Sequence, residues 1–234
     1  MWYSACMRIV LVVVCAALLG GGSVFAWWYF GGFGHEQGTS IAFVNAYSTY
    51  TEIAAQLEEL VYVPGVEANV ARQELLVLLN AILTETMEPT EREVLARTAF
   101  ARVDTVKKEI DAARGMQDKL YQALQDLDNA GRQFRGERYR VRAHAVTERA
   151  RDRAECSSRI TSLLADMNDH AYAIVTKIIA DHGALTAEHV TSINEKTDEA
   201  QQRFDTLTSL YTELGRLRAE TEHALKEFTD TTLS

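Results

Sequence analysis

The stretch from Val103 to Phe134, VDTVKKEIDAARGMQDKLYQALQDLDNAGRQF, decides the fold class of this chain. Apolar residues recur in it at alternating steps of three and four, which is the spacing of residues along one face of an α-helix. This heptad face consists of Val103, Val106, Ile110, Ala113, Gln117, Leu120, Leu124, Leu127, Gly131 and Phe134. Gln117 and Gly131 interrupt it, and a polar residue in such a face more often fixes the register between helices than performs chemistry. The stretch predicts a long helix that packs against neighbouring helices.

The same spacing continues on both sides of this stretch. Before it, one face carries Phe43, Tyr47, Tyr50, Ala54, Leu57 and Val61. After it, a second face carries Ile160, Leu164, Met167, Ala171, Ile174 and Ile178, and a third carries Ile193, Thr197, Ala200, Phe204, Leu207, Tyr211 and Leu214. Turns are predicted near residues 129–136 and at His182-Gly183-Ala184. The predicted fold class is all-α, an elongated antiparallel bundle or coiled coil of three or four helices.

Two features before residue 90 leave alternatives open. Pro64-Gly65 either kinks a long first helix or forms a tight turn, and in the second case the first two helices form a short hairpin. The run LLVLLNAIL from Leu75 to Leu83 is apolar on more than one side, but it is too short to span a bilayer. We therefore expect this run to be buried between two or more neighbouring helices.

An apolar segment near the N-terminus predicts a transmembrane helix. The residues from Ile9 to Phe30 carry no charged side chain, and as a helix they would rise about 33 Å, which matches a hydrocarbon core of roughly 30 Å. The anchoring side chains would be Arg8 at the near end and Trp27, Trp28 and Tyr29 at the far end, where aromatic rings prefer the headgroup level. The segment is therefore predicted to act as a signal anchor.

This segment divides the chain into regions. Residues 1–8 would form a short cytoplasmic N-terminus, residues 31–38 a glycine-rich linker, and residues 39–234 a helical ectodomain outside the cytoplasm. The protein would then be a single-pass protein of the cell membrane, in contact with membrane lipid. The alternative is a cleaved signal peptide with the small-residue site Val24-Phe25-Ala26, after which the same bundle would be released.

The charge of the chain is unevenly distributed. The formal net charge is -9, which argues against nucleic acid as a partner because phosphate binding needs a basic surface. Residues 132–159 nevertheless contain nine arginines, no lysine and four acidic residues. These arginines either pair with acidic side chains of neighbouring helices or form a docking patch for lipid headgroups, an envelope polymer or an acidic protein. The candidate residues of that patch are Arg135, Arg138, Arg140 and Arg142.

No sequence motif points to catalysis. The sequence contains no phosphate-binding glycine loop, no paired-cysteine metal motif and no H-E-x-x-H spacing. The best metal candidate is Asp166 with His170, one turn apart, and solvated histidines are the preferred interpretation. We therefore predict no metal, no cofactor and no enzymatic activity. Cys156 is predicted to be a small buried thiol rather than a link between two protomers.

These patterns favour a membrane-anchored helical scaffold or adaptor that associates with itself or with another envelope protein through its heptad faces. The alternative is a bundle that senses or binds a small molecule between its helices. The Tyr47/Tyr50 face and the run Leu75–Leu83 are where a groove or a partner helix is expected. The layout of one membrane helix before long helices resembles chemoreceptor sensing bundles and LemA-like proteins in architecture alone, without a shared motif.

Overall fold

A computed structural model describes residues 35–62, 67–84, 86–185 and 187–233. These residues form five helices, which are α1 (His35–Tyr62), α2 (Glu67–Thr84), α3 (Pro89–Arg132), α4 (Glu137–Ala180) and α5 (Ala187–Leu233). No strand occurs among the described residues. Their apolar faces pack against one another as a helical bundle, so the predicted all-α class is confirmed for this part of the chain.

The predicted membrane helix, residues 9–30, lies outside the described residues, as do its anchoring side chains Arg8, Trp27, Trp28 and Tyr29. Among the described helices, none combines the length and the apolar character that crossing a membrane requires. Helix α1 begins at His35, so residues 35–38 are helical rather than part of a glycine-rich linker. The membrane helix itself stays a prediction.

The described helices belong to two compact units. The first unit contains residues 35–55, 118–154 and 217–233, and the second contains the described residues of 56–117 and 155–216. Helices α1, α3, α4 and α5 each contribute to both units, whereas α2 lies wholly in the second. Each unit is therefore built from segments that are distant in the sequence.

The core of the first unit contains three phenylalanines from three segments. The ring centroid of Phe43 in α1 lies 4.8 Å from that of Phe228 in α5 and 5.9 Å from that of Phe134, which follows α3. Gly131 makes room for this cluster, because a Cβ atom there would lie 3.3 Å from Cε2 of Phe43 and 3.5 Å from Cβ of Ala143. The glycine that interrupts the heptad face of α3 thus admits a neighbouring aromatic ring.

Tyr47 and Tyr50 follow Phe43 on the buried face of α1. The hydroxyl of Tyr50 donates a hydrogen bond to the backbone oxygen of Ala150 at 2.7 Å. The hydroxyl of Tyr47 is buried without a hydrogen-bond partner among the described residues, and this burial raises the pKa of Tyr47 to about 12. The prediction that the Tyr47/Tyr50 face lines a groove is wrong, because both rings are part of the core.

Replacing each tyrosine by phenylalanine should change stability in opposite directions. Tyr50→Phe removes a buried hydrogen bond and should lower the free energy of unfolding by about 1 kcal/mol. Tyr47→Phe removes a buried polar group that has no partner, and it should raise the free energy of unfolding by up to about 1 kcal/mol. Urea unfolding of the full chain, followed by circular dichroism, measures both values. Equal destabilisation by the two substitutions would contradict this assignment.

The core of the second unit is formed by residues of α2, α3 and α4. Its buried members are Leu75, Ile82, Ala96, Ala99, Val103, Ala171, Val175 and Ile178. Arg102 of α3 lies 2.7 Å from Glu74 of α2, whereas Arg92, near the start of α3, bonds to Ile82, near the end of α2. Helices α2 and α3 are therefore antiparallel, as the bundle prediction requires.

Arg92 ties helix ends together in the second unit. It is 9% exposed, and its Nε donates to the backbone oxygen of Ile82 at 3.2 Å. Its Nη1 donates to the backbone oxygen of Gly183, after α4, at 3.1 Å. The carbonyl oxygens at the end of a helix carry partial negative charge, so a buried guanidinium is well placed there.

The end of α4 has the backbone geometry of a Schellman motif. The N–H of Gly183 donates to the oxygen of Ile178 at 2.9 Å, and the N–H of His182 donates to the oxygen of Ile179 at 3.2 Å. His182 and Gly183 both have positive φ, at 51° and 77°. The predicted stop at His182-Gly183-Ala184 is confirmed, since α4 ends at Ala180.

Arg72 of α2 holds the end of α1 in the second unit. Its Nη1 and Nη2 donate to the backbone oxygens of Val61 and Leu60, at 3.1 and 3.4 Å. The hydroxyl of Tyr211 in α5 donates to the same Val61 oxygen at 2.9 Å. Arg72 and Tyr211 thus bind the last carbonyl oxygens of α1 within the second unit. Pro64-Gly65, for which a kink and a tight turn were the alternatives, lies outside the described residues.

Most of the predicted heptad positions are buried. All six positions of α1 are buried, and in α3 every position is buried except the half-buried Gln117. Four described positions in the later helices are not buried as predicted. In α4, Met167 and Ile174 are half-buried, and the buried face passes through Val175 instead of Ile174. In α5, Tyr211 is half-buried and Phe204 is 49% exposed, and the burial of Ile193, Thr197 and Ala200 lies outside what the structure describes.

Cys156 is buried, as the sequence predicts. Its side chain is 2% exposed, and its thiol donates to the backbone oxygen of Leu210 in α5 at 3.5 Å. Burial raises the pKa of the Cys156 thiol to about 11, so the reactive thiolate form is scarce at neutral pH. Cys156 therefore packs as a small apolar residue between α4 and α5 of the second unit.

Candidate docking surfaces

The four arginines of the predicted docking patch lie in the α3–α4 turn and the first turns of α4, in the first unit. Arg135, Arg138 and Arg140 are exposed. Arg142 is half-buried, and its Nη1 donates to the backbone oxygen of Glu227 in α5 at 3.1 Å. The structure thus leaves three of the four at the surface, whereas Arg142 joins two helices.

Arg138 and Arg140 do not form one cluster. Residues two apart in a helix are separated by about 200° around its axis, so these side chains lie on different sides of α4. Arg138 shares its side with Arg142, one turn later, which bonds to α5. Arg140 lines a groove with residues of α3. The predicted patch is therefore two separate contact points on either side of one helix.

Most of the other arginines in residues 132–159 are paired with acids. The pairs are Arg132 with Asp128 at 2.6 Å, Arg149 with Glu220 at 3.5 Å, Arg159 with Glu213 at 3.7 Å, and Arg151 with Glu148. The expected pairing with a neighbouring helix is confirmed for Arg149 and Arg159, which pair with acids of α5, whereas Arg132 and Arg151 pair with acids of their own helix. Each exposed pair contributes about 0–1 kcal/mol to stability. Within the described residues, Arg138 and Arg140 form no ion pair.

An open groove of about 340 Å³ lies beside Arg140. It is lined by Asp128, Gly131, Arg132, Arg140, Val141, His144 and Thr147. Asp128 pairs with Arg132, and the Thr147 hydroxyl donates to the backbone oxygen of Ala143 at 3.0 Å. Nδ1 of His144 lies 3.7 Å from a carboxylate oxygen of Glu148. Of the polar side chains that line the groove, Arg140 is therefore the donor suited to a small anion rather than to an apolar ligand.

The apolar run of α2 is only partly buried. Leu75 and Ile82 belong to the core of the second unit. Leu76 and Val77 are 53% and 70% exposed, because they lie about 100° and 200° further around the helix than Leu75. The prediction that the whole run is buried between helices is wrong at these two positions and at Asn80, which is also exposed. We call Leu76 and Val77 the α2 patch.

The metal candidate of the sequence is part of a charge network in the second unit. Nε2 of His170 lies 3.6 Å from Oε2 of Glu199, and Nδ1 lies 2.7 Å from the backbone oxygen of Asp166. The guanidinium of Arg203 lies 4.0 Å from the carboxylates of both acids and 3.3 Å from Nδ1 of His170. No group of three or more metal-binding side chains occurs among the described residues. The guanidinium of Arg203 is a cationic side chain beside both acids.

Comparison of the chain with protein-family models, with curated proteins and with solved structures finds no match. The function therefore has to be argued from the exposed surfaces of the two units.

Proposed function

We propose that this chain is a single-pass, membrane-tethered helical scaffold that holds a partner protein through the α2 patch. The observation that carries the proposal is the exposure of Leu76 and Val77, at 53% and 70%, next to each other on one helix. Burying an apolar side chain of this size contributes about 1.5–3 kcal/mol. A partner that covers both residues would therefore gain several kilocalories per mole from this contact alone.

In this proposal the partner protein binds the α2 patch, whereas the sequence predicted association through the heptad faces. The heptad positions of α1 and α3 are buried within the chain, so they hold the bundle together. The apolar residues left at the surface are the ones that a partner can cover. The α2 patch is the pair of adjacent residues among them with the largest combined exposure.

The tether in this proposal is the predicted membrane helix, residues 9–30. Its length and its interfacial aromatic residues support a signal anchor, and Arg8 on the near side favours a cytoplasmic N-terminus. The two units would then lie outside the cytoplasm, at the surface of the membrane. A tether of this kind raises the effective concentration of the scaffold around its partners, so a small patch can suffice.

Photo-crosslinking in intact membranes tests the proposal. A photoreactive residue placed at Val77 of the full chain should give one adduct of discrete mass. The matched control is the same residue at Val94 of α3, which is 63% exposed in the same unit and should give none. The mass of the adduct distinguishes a second copy of this chain from another envelope protein. Leu76→Glu should lower the yield at Val77 roughly tenfold, since 1.4 kcal/mol of lost binding is a factor of ten.

Two results would overturn this function. The first is the same set of adducts at Val77 and Val94, which would show random collision. The second is an unchanged yield from Leu76→Glu, provided that circular dichroism shows the variant to be folded.

The alternative function, a ligand-binding bundle, is favoured by the groove beside Arg140. That groove is open and bordered by charges, unlike the apolar enclosure typical of small-molecule sites.

A further inference from the structure

We propose that the exposed arginines Arg135, Arg138 and Arg140, here called the arginine end, bind the phosphate groups of anionic phospholipids in the membrane that holds the chain. This inference rests on the membrane tether of the proposed function and names a second partner for the scaffold. It is independent of the α2 patch, which lies in the other unit. The two proposals can therefore fail separately.

The arginine end lies near the start of α1, which follows the predicted membrane helix. Phe43, in the third turn of α1, contacts Phe134 in the α3–α4 turn, and Phe134 stacks on Tyr139 in the first turn of α4 at 6.1 Å. The start of α1 and the arginine end therefore lie at the same end of the first unit. Phe30, the last residue of the predicted membrane helix, precedes His35 by five residues, which span at most roughly 17 Å. The arginine end is thus within reach of the membrane surface.

The arginine end is rich in guanidinium groups, which bind phosphate well. Residues 131–142 contain five arginines and one acid, Glu137, in a chain whose net charge is -9. The planar guanidinium group donates two parallel hydrogen bonds to a phosphate, a geometry that lysine does not offer. Arg138 and Arg140 form no ion pair within the described residues, so their donors are available to a ligand.

The surface around these donors has a shape that suits a lipid headgroup. The groove of about 340 Å³ beside Arg140 has room for a lipid headgroup. His144 also lines it, and its Nδ1 lies 3.7 Å from a carboxylate oxygen of Glu148. Val141, between Arg140 and Arg142, is 60% exposed, and an apolar residue among arginines suits a surface that meets both phosphates and acyl chains. Arg138, on the other side of α4, would contact a second headgroup.

The acidic side chains near the arginine end determine which interaction supplies the affinity for a phosphate group. Asp128 is occupied by Arg132 at 2.6 Å, but Glu137 and Glu227 also lie at this end of the unit. These acids weaken the positive electrostatic field of the arginine end. The affinity for a phosphate group therefore has to come from individual bidentate hydrogen bonds rather than from long-range attraction. A headgroup of the same membrane is the favoured anion, because the tether presents it at high effective concentration.

The test uses the full chain in lipid nanodiscs. Discs that contain phosphatidylglycerol are compared with discs of phosphatidylcholine alone, and amide hydrogen exchange is measured along the chain. We expect exchange in residues 131–142 to be slower in the anionic discs. Native mass spectrometry of the detergent-solubilised chain then gives its preference for phosphatidylglycerol. Each arginine lost should reduce this preference about fivefold, which corresponds to the usual contribution of one basic residue at an anionic surface.

Paired variants separate specific contact from net charge. Arg138→Gln with Arg140→Gln should abolish the slower exchange and most of the lipid preference. The control, Arg97→Gln with Arg114→Gln, removes the same charge from exposed positions of α3 in the second unit and should change neither. Circular dichroism confirms that each variant is folded, since these side chains are not part of the core.

Four outcomes would overturn the inference. Equal exchange of residues 131–142 in both kinds of disc would exclude headgroup contact. The same protection from inorganic phosphate in phosphatidylcholine discs would identify a site for a free anion instead. A chain that does not insert into discs would remove the tether, and with it the proposed function as a whole. A chain that inserts and crosslinks at Val77 without any lipid preference would overturn this inference alone.

Discussion

Replacing Gly183 by alanine should lower the free energy of unfolding by about 3–5 kcal/mol. Gly183 has a φ of 77°, and placing a residue with a Cβ atom in this region costs roughly 1–2 kcal/mol. The added Cβ would also lie 1.8 Å from the backbone oxygen of Pro89, so the start of α3 has to move. That movement disturbs the bond from Arg92 to the Gly183 oxygen, and a hydrogen bond to a charged group contributes about 1.5–3 kcal/mol.

Gly215 supplies the matched control. It lies inside α5 in the same unit, and a Cβ atom there would meet nothing within 4 Å. Gly215→Ala should therefore raise the free energy of unfolding by about 0.5–1 kcal/mol, because alanine is the better helix former. Urea unfolding of both variants measures the difference. Similar stabilities for the two would show that the turn after α4 does not hold α3 in place.

Removing the ring of Phe43 should have a comparable effect in the first unit. Phe43 is fully buried and contacts both Phe134 and Phe228, and replacing a buried phenylalanine by alanine costs about 3–5 kcal/mol through lost burial and the cavity left behind. Phe204→Ala is the control, since Phe204 is 49% exposed, and it should cost less than about 1 kcal/mol. Thermal unfolding of the full chain measures both. Equal losses would mean that the two rings are equally buried in solution.

The heptad spacing predicts the burial of Phe43 correctly and that of Phe204 wrongly, for a physical reason. A straight α-helix has 3.6 residues per turn, so a strict heptad drifts by about 20° with each repeat. Over the 44 residues of α4 this drift moves the buried face from Ile174 to Val175. In the middle of α5 the buried residues are Leu207, Leu210, Leu214 and Leu217, with Thr221 and Phe228 buried further along, and the predicted position Phe204 lies to one side of the middle group.

Whether a candidate docking residue is exposed depends on the helices that pack beside it, and the sequence pattern does not specify these neighbours. The α2 patch had a local signal, because Gln73 and Asn80 lie one turn before and after Val77 and are exposed on the same side. The arginines had no such signal. Arg138 and Arg142 are one turn apart in the sequence, yet Arg142 bonds to the backbone of α5. That contact follows from where the last helix packs, which periodicity alone does not specify.

The division of the long helices between two units has a consequence for biosynthesis. Phe43 and Phe228, at opposite ends of the described chain, are in contact within the first unit. During translation the first described helix therefore leaves the ribosome before the rings of Phe134 and Phe228, which pack on Phe43, have been made. The second unit, which needs nothing beyond residue 216, can assemble before the first unit is complete. A nascent chain would thus leave the face of Phe43 that meets Phe228 exposed to water until residue 228 has been synthesised, and chaperones that bind exposed aromatic segments could act there.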